Sequence, residues 1–209
     1  MTIVHPIPRA WITTGGTGAQ NYDEFADDAE ITAIIEANPH SALAIEMPHR
    51  APDRIGSFGD ALPAAVERLA QAKADGSYTP AEQVVVLYRI SSPLDEPAYG
   101  LFAMVDTDQI STSADEPGAV IRNEDVFIEK VRERVALADA LGHLLSPVLL
   151  LQTARGDELH RALAEATQAA GAPAATDLDQ AGRTHAIWLL GPGAEQDRLR
   201  ELAGGGELV

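Results

Sequence analysis

The chain has no cysteine among its 209 residues. That excludes disulfides and thiolate chemistry, and it fits a reducing, cytoplasmic location. No apolar run approaches the ~20 residues that cross a bilayer, which argues against a membrane protein. Met1 to Pro8 lacks the charged and apolar regions of a signal peptide. Positive charge is also scarce. Fifteen Lys and Arg stand against 32 Asp and Glu, giving a net charge of −17. Phosphate backbones need a basic face, so nucleic-acid binding is excluded as a general function. An acidic balance favours a small-molecule or protein partner.

Several motifs are missing as well. There is no Gly-x-Ser-x-Gly elbow, no His-Glu-x-x-His and no Gly-x-Gly-x-x-Gly after a strand. The motif-bearing forms of hydrolase, zinc and dinucleotide chemistry are thereby removed. Thr13 to Gly18 is a glycine-rich loop that could wrap a phosphate, but no Gly-Lys-Ser/Thr follows it.

At 45% hydrophobic the chain can bury a sizeable core. Helical spacing is found over Asp23–Ala37, Ala61–Ala74 (Leu62, Ala65, Val66 and Leu69 inward), Asp157–Ala170 and Glu195–Ala203. A further helix is expected from about Asp125 to Gly142. Its buried stripe would be Val131, Val135, Ala138 and Leu141, extended by Phe127 or Ile128. Strands are expected at Ser41–Met47, Gln83–Ile90, Ala98–Val105, Ala119–Arg122, Ser146–Gln152, Ala174–Leu178 and Thr184–Leu190. Residues 83–105 read as an antiparallel hairpin. This order predicts an α/β fold: a mixed sheet with flanking helices, one domain over 1–203 and a flexible tail over 204–209.

One stretch stands out. Four of the fifteen cations, Arg122, Lys130, Arg132 and Arg134, fall between Arg122 and Arg134. Only two lysines exist, Lys73 and Lys130. Lys130 and Arg134 share one helix face, where like charges repel unless an anion lies between them. Glu129 and Glu133 could supply it, giving a solvated, salt-bridged face. The alternative is a cradle for a phosphate or carboxylate, with Glu124 at the helix start as a general base or as a favourable charge at that terminus. Tyr22 and Asp23 open a helix, as a cap or as a substrate contact. Arg89 interrupts an apolar strand, as an edge charge or as a group reaching the same pocket.

The order of motifs resembles the family called "domain of unknown function 1015". Tyr22-Asp23 stands where that family has Pro-Pro-Tyr-Asp-Val. Asn38-Pro39 and Met47-Pro48 resemble its helix end and Leu-Pro. Val86 to Arg89 and Gly100 to Val105 resemble its hairpin. Its His-Glu-x-Thr, Lys and Asp-Arg motif corresponds to Asn123-Glu124-Asp125-Val126, Lys130 and Glu133-Arg134. His, Thr and Asp are thus replaced by Asn123, Val126 and Glu133. Ser146 to Leu150 and His185-Ala186-Ile187-Trp188 resemble two further strands. On this resemblance the chain corresponds to the N-terminal half of longer members, ahead of a later Ala-Asp-Gly-His-His-Arg motif.

The family is distantly similar to ParB/sulfiredoxin-like proteins, some of which phosphorylate free serine. The resemblance therefore implies a small-molecule enzyme binding a nucleotide, phosphate or amino acid. It implies a phosphotransferase acting on an amino-acid hydroxyl, with ATP or ADP and Mg as cofactors. Glu124, Lys130 and Arg134 would be catalytic; Tyr22, Asp23, Arg89 and Asn123 would bind substrate. The altered motif also fits a non-catalytic homologue that acts as a binding or assembly partner, and a homodimer could complete the site.

Overall fold

The computed structural model describes residues 2–13, 28–53, 56–111, 118–122, 126–179 and 181–209. It shows an α/β fold in which helices flank a curled sheet. β1 (Val4–His5) leads into β2 (Ile7–Thr13). Three short helical segments follow: α1 (Asp28–Ala37), α2 (Ala42–Glu46) and a 3₁₀ turn at Pro48–Arg50. Next come α3 (Phe58–Ala74), β3 (Tyr78–Ser91), β4 (Ala98–Phe102) and β5 (Met104–Val105). The order then runs α4 (Ile128–Leu141), α5 (Gly156–Ala170), β6 (Ala175–Leu178), β7 (Thr184–Leu190) and α6 (Ala194–Ala203).

β3 is the central strand, as its β-branched run requires. Its first half pairs with β2; its second half lies between β4 and β7, and β6 completes the sheet beyond β7. All four ladders are antiparallel, so the parallel component expected of a mixed sheet is confined to isolated bridges at Val120. The two halves of β3 meet at Gln83, whose φ of 52° is left-handed and rare outside glycine. The β2–β3 ladder skips Pro8 and Gln83 between the pairs Ile7–Val84 and Arg9–Glu82. Proline has no N–H to give. The Gln83 carbonyl instead accepts from the Gln196 side-chain amide at 2.8 Å, and the same nitrogen donates to the Leu190 carbonyl at 2.9 Å.

Two main clusters hold the layers together. α5 and α6 cover one face of the sheet, packing Ala162, Leu163, Ala166, Leu199 and Leu202 on Leu87, Ala186 and Trp188. α2, α3 and α4 meet around Ile45, Ala65, Leu69, Tyr78, Leu137 and Leu141. α3 opens with a reciprocal cap, in which Ser57 and Asp60 each bind the other's backbone N–H.

Four expectations are corrected. Residues 41–47 form helix α2 rather than a strand. The Ser41 hydroxyl accepts from the Leu43 N–H and starts a turn that buries Leu43, Ala44 and Ile45. Residues 146–152 are not a buried strand. Pro147 cannot donate to a ladder, and Val148, Leu149 and Leu151 are exposed. That segment pairs only at its end, where Leu151 exchanges backbone bonds with Val209. Residues 204–209 are not a free tail. Leu208 is buried, its N–H donates to Ala119 and its carbonyl accepts from Ile121. The strand expected at residues 119–122 is reduced to bridges from Val120 to Ile110 and Leu208.

α4 also departs from its expected setting. It buries Leu137 and Leu141, while Val131 and Val135 face outward and Val126, Phe127 and Ile128 are exposed. The helix is rotated from its expected setting: Leu137 and Leu141 pack on α3, and Arg134 on the same side pairs with Glu46 of α2. α3 shows a smaller shift of the same kind. Ala61, Ala65, Leu69 and Ala72 are its buried line, and Val66 is exposed.

Candidate functional site

Lys130 and Arg134 lie on α4 where it passes α2 and the 3₁₀ turn. Arg134 Nη1 contacts Glu46 Oε1 at 2.9 Å, and the Ser146 hydroxyl donates to the same oxygen. Glu46 thus fastens α2 to both α4 and the segment that follows it. Its side chain is only 13% exposed, against 32% for Arg134. Lys130 reaches Glu133 at 3.4 Å and is well exposed. Of the two internal carboxylates considered for this helix, Glu133 serves Lys130; Arg134 takes its partner from α2.

His49 joins this cluster from the 3₁₀ turn. Its ring stands edge-on to Phe58, 5.3 Å between centroids, and its buried Nδ1 has no hydrogen-bond partner. Burial lowers the His49 pKa and the Arg50 charge lowers it further, while Glu133 and Asp28 oppose them and Lys130 adds a smaller lowering. The imidazole is therefore neutral near pH 7 and can accept or donate one proton. Arg50 pairs with Asp28 at 2.7 Å. The junction gathers three guanidinium or ammonium groups and a neutral imidazole near the nearly buried carboxylate of Glu46.

Other expected site residues fall elsewhere. Tyr22, Asp23, Asn123 and Glu124 lie outside the described residues, as does the glycine-rich loop beyond Thr13. Arg89 does not join Lys130 and Arg134. Its guanidinium lies over the Trp188 ring, 5.2 Å from the centroid, in the cluster packed by α5 and α6. Among the described residues no group of three or more His, Asp or Glu is placed to hold a metal ion. No helix among them is long and apolar enough to cross a membrane.

The two α4 cations should respond differently to truncation. Arg134→Ala leaves the Glu46 carboxylate nearly buried without its cation and should cost about 2 kcal/mol, discounted for the partial exposure of the pair. Lys130→Ala removes only an exposed pair and should stay within about 0.5 kcal/mol of the parent. Urea denaturation of the two variants measures the difference.

A second cluster has no counterpart among the expected site residues. Tyr88 on β3 and His185 on β7 share one face of the sheet, because Tyr88 pairs with Ile187 and His185 is two residues away. The Tyr88 hydroxyl hydrogen-bonds His185 Nδ1. His185 Nε2 lies 3.0 Å from Asp179 Oδ2, at the end of β6. Arg183 donates to Asp179 from its backbone at 2.8 Å and from Nε at 2.6 Å. These bonds, led by that from His185, hold the Asp179 carboxyl well below the usual carboxylate range. Burial pushes the Tyr88 phenol up. An aromatic such as Tyr88 on an apolar strand reads as a core residue. The visible signal was His185, a polar residue alternating with apolar ones on a strand. Its partners depend on pairing that spacing along the chain does not reveal.

Neither the curated proteins nor the solved structures give a match to this chain. The family model described as protein of unknown function (DUF1015) matches residues 17–206, which span both clusters and every strand of the five-stranded sheet except β2. The chain therefore belongs to the DUF1015 family.

Proposed function

We propose that the junction of α2, the 3₁₀ turn and α4 binds a small anion, a nucleotide, phosphate or amino acid, and transfers a phosphoryl group to an amino-acid hydroxyl. One observation carries this reading. A chain with a net charge of −17 brings Arg50 and Lys130 close enough to His49, whose Nδ1 is unpartnered, to act on its ring, with Arg134 held by Glu46 on the neighbouring helix α2. Lys130, exposed and paired with Glu133, is the group placed to meet a phosphate. Arg134 acts as its buttress, since Glu46 already occupies it. Glu124, which opens the motif, would serve as general base toward the acceptor hydroxyl. ATP or ADP with Mg would supply the phosphoryl group and neutralise its charge. The setting would be cytoplasmic.

A thermal-shift series with ATP, ADP, CTP, serine and phosphoserine tests this. Ligand at about 100 times its dissociation constant should add about 2.7 kcal/mol and raise the melting temperature by several degrees. No shift with any nucleotide would sink the phosphotransferase reading. Glu124→Gln should keep the shift and lose turnover; unaffected turnover removes Glu124 from the mechanism.

A second reading is favoured by the outer side of α4. Ile128, Val131 and Val135 form an apolar line facing solvent, which suits a non-catalytic binding or assembly partner, a second copy of the chain included. The mass in solution separates the homodimer from the monomer.

A further inference from the structure

We infer that Tyr88 is a nucleophilic hydroxyl, with His185 as its base and Asp179 as the positioning residue, and that it accepts an acyl group from an uncharged ester. The inference is independent of the anion site at α4.

The direction of the proton follows from the partners. Asp179 is ionised and can only accept, so the proton between it and His185 sits on Nε2. In the neutral imidazole Nδ1 is then an acceptor, and the hydroxyl aimed at it is that of Tyr88. This is the arrangement of a nucleophile, a base and a group that fixes the base's tautomer. The Asp179 carboxylate already accepts twice from Arg183, so its bond to His185 orients the ring beyond what satisfying the carboxylate needs. The raised phenol pKa keeps Tyr88 protonated at rest. Its proton leaves only as the oxygen attacks, as with a serine hydroxyl.

The surroundings select the substrate. Tyr88 is partly exposed, and its partner on β4 is Gly100, which adds no side chain over that flank. A Cβ on Gly100 would stand 3.7 Å from the ring. Phe102 lies beside it, 5.3 Å between centroids. Arg183 and His185 both engage Asp179. An uncharged acyl ester with an apolar body suits this place better than a phosphate dianion. In the step, Tyr88 Oη bonds to the acyl carbon and its proton passes to His185 Nδ1. The carbon–oxygen bond to the alcohol breaks, and the same proton leaves with that alcohol.

The test uses 4-nitrophenyl acetate on the whole chain, with peptide mass spectrometry to locate the acetyl group. Tyr99 is the internal control; it is similarly half-buried but contacts His160. Tyr88 should acetylate about 100-fold faster than Tyr99, the lower range for general-base assistance. His185→Gln should bring it down to the Tyr99 rate. Tyr88→Phe, which keeps the ring, should abolish the fast phase of nitrophenolate release while the melting temperature stays near the parent's. Nitrogen-15 NMR should show His185 protonated on Nε2 in the parent, and a mixture of tautomers with slower acetylation in Asp179→Asn. Equal labelling of Tyr88 and Tyr99, or a proton on Nδ1 in the parent, would overturn the inference and leave the network as a tie between β3 and the β6–β7 turn.

Discussion

Leu87→Ala is expected to lower the unfolding free energy by about 3–5 kcal/mol, the range for a large buried side chain cut to a methyl group. Leu87 has no solvent exposure and stands at the middle of β3. On either side it is flanked by Leu101 of β4 and Trp188 of β7, both fixed by their ladders. Above it lie Leu163 of α5 and Leu199 of α6. A strand held on both edges cannot move to close the gap, so the cost should sit at the upper end. Urea denaturation with unchanged slope measures it. A loss near 1 kcal/mol would mean that α5 settles into the space. The same variant tests the Tyr88 network, since residues 87 and 88 share a backbone but face opposite sides of the sheet.

Gln196→Ala is expected to cost about 2–3 kcal/mol, because it removes two part-buried hydrogen bonds together with a buried side chain. Gln196 is 3% exposed, and its side-chain nitrogen serves both Gln83 and Leu190. The two acceptors lie on different strands, so one amide holds α6 against β3 and β7 at the point where β3 changes partners. Gln196→Glu distinguishes donation from packing. The shape is kept but the donor becomes an acceptor, so it should lose at least as much as alanine. Should Gln196→Glu match the parent in urea, the two hydrogen bonds do not anchor the helix.

The elements read best from the chain are those whose pattern and packing agree. Gln83–Ile90 and Thr184–Leu190 are β-branched and apolar, and they form the middle of the sheet. Asp157–Ala170 has a strong one-sided stripe and becomes α5. Residues 41–47 show the opposite case. A short apolar run suits a strand or a buried helical turn equally, and one hydroxyl, that of Ser41, decided it. On α4 the hydrophobic pattern favours Val131, Val135, Ala138 and Leu141, and of these only Leu141 is buried, together with Leu137. Arg134, on the same side as those leucines, takes its partner Glu46 from α2, which spacing along α4 does not show. Half of the candidate site was legible for the same reason. Lys130 and Arg134 are neighbours along one helix, whereas Glu46 and His49 reach them only through tertiary packing. Arg89 was legible as an anomaly but not in its destination, because a cation on a strand can rest on an aromatic ring instead of a ligand.

The Thr2 hydroxyl donates to the Arg200 carbonyl, and Val4 packs with Val120, Ala203 and Leu208. Residues near the two ends of the chain thus share one small cluster. Contacts that close so large a loop give nothing back until nearly the whole chain exists. On the ribosome, Val4 would stay exposed until residues 199–209 had cleared the exit. An early-forming sheet around β3 would meanwhile carry an unfinished edge. Closing this cluster is thus a late step for residues 2–209, set by timing in synthesis, and a change within residues 204–209 would act on it before it acted on either cluster of polar side chains.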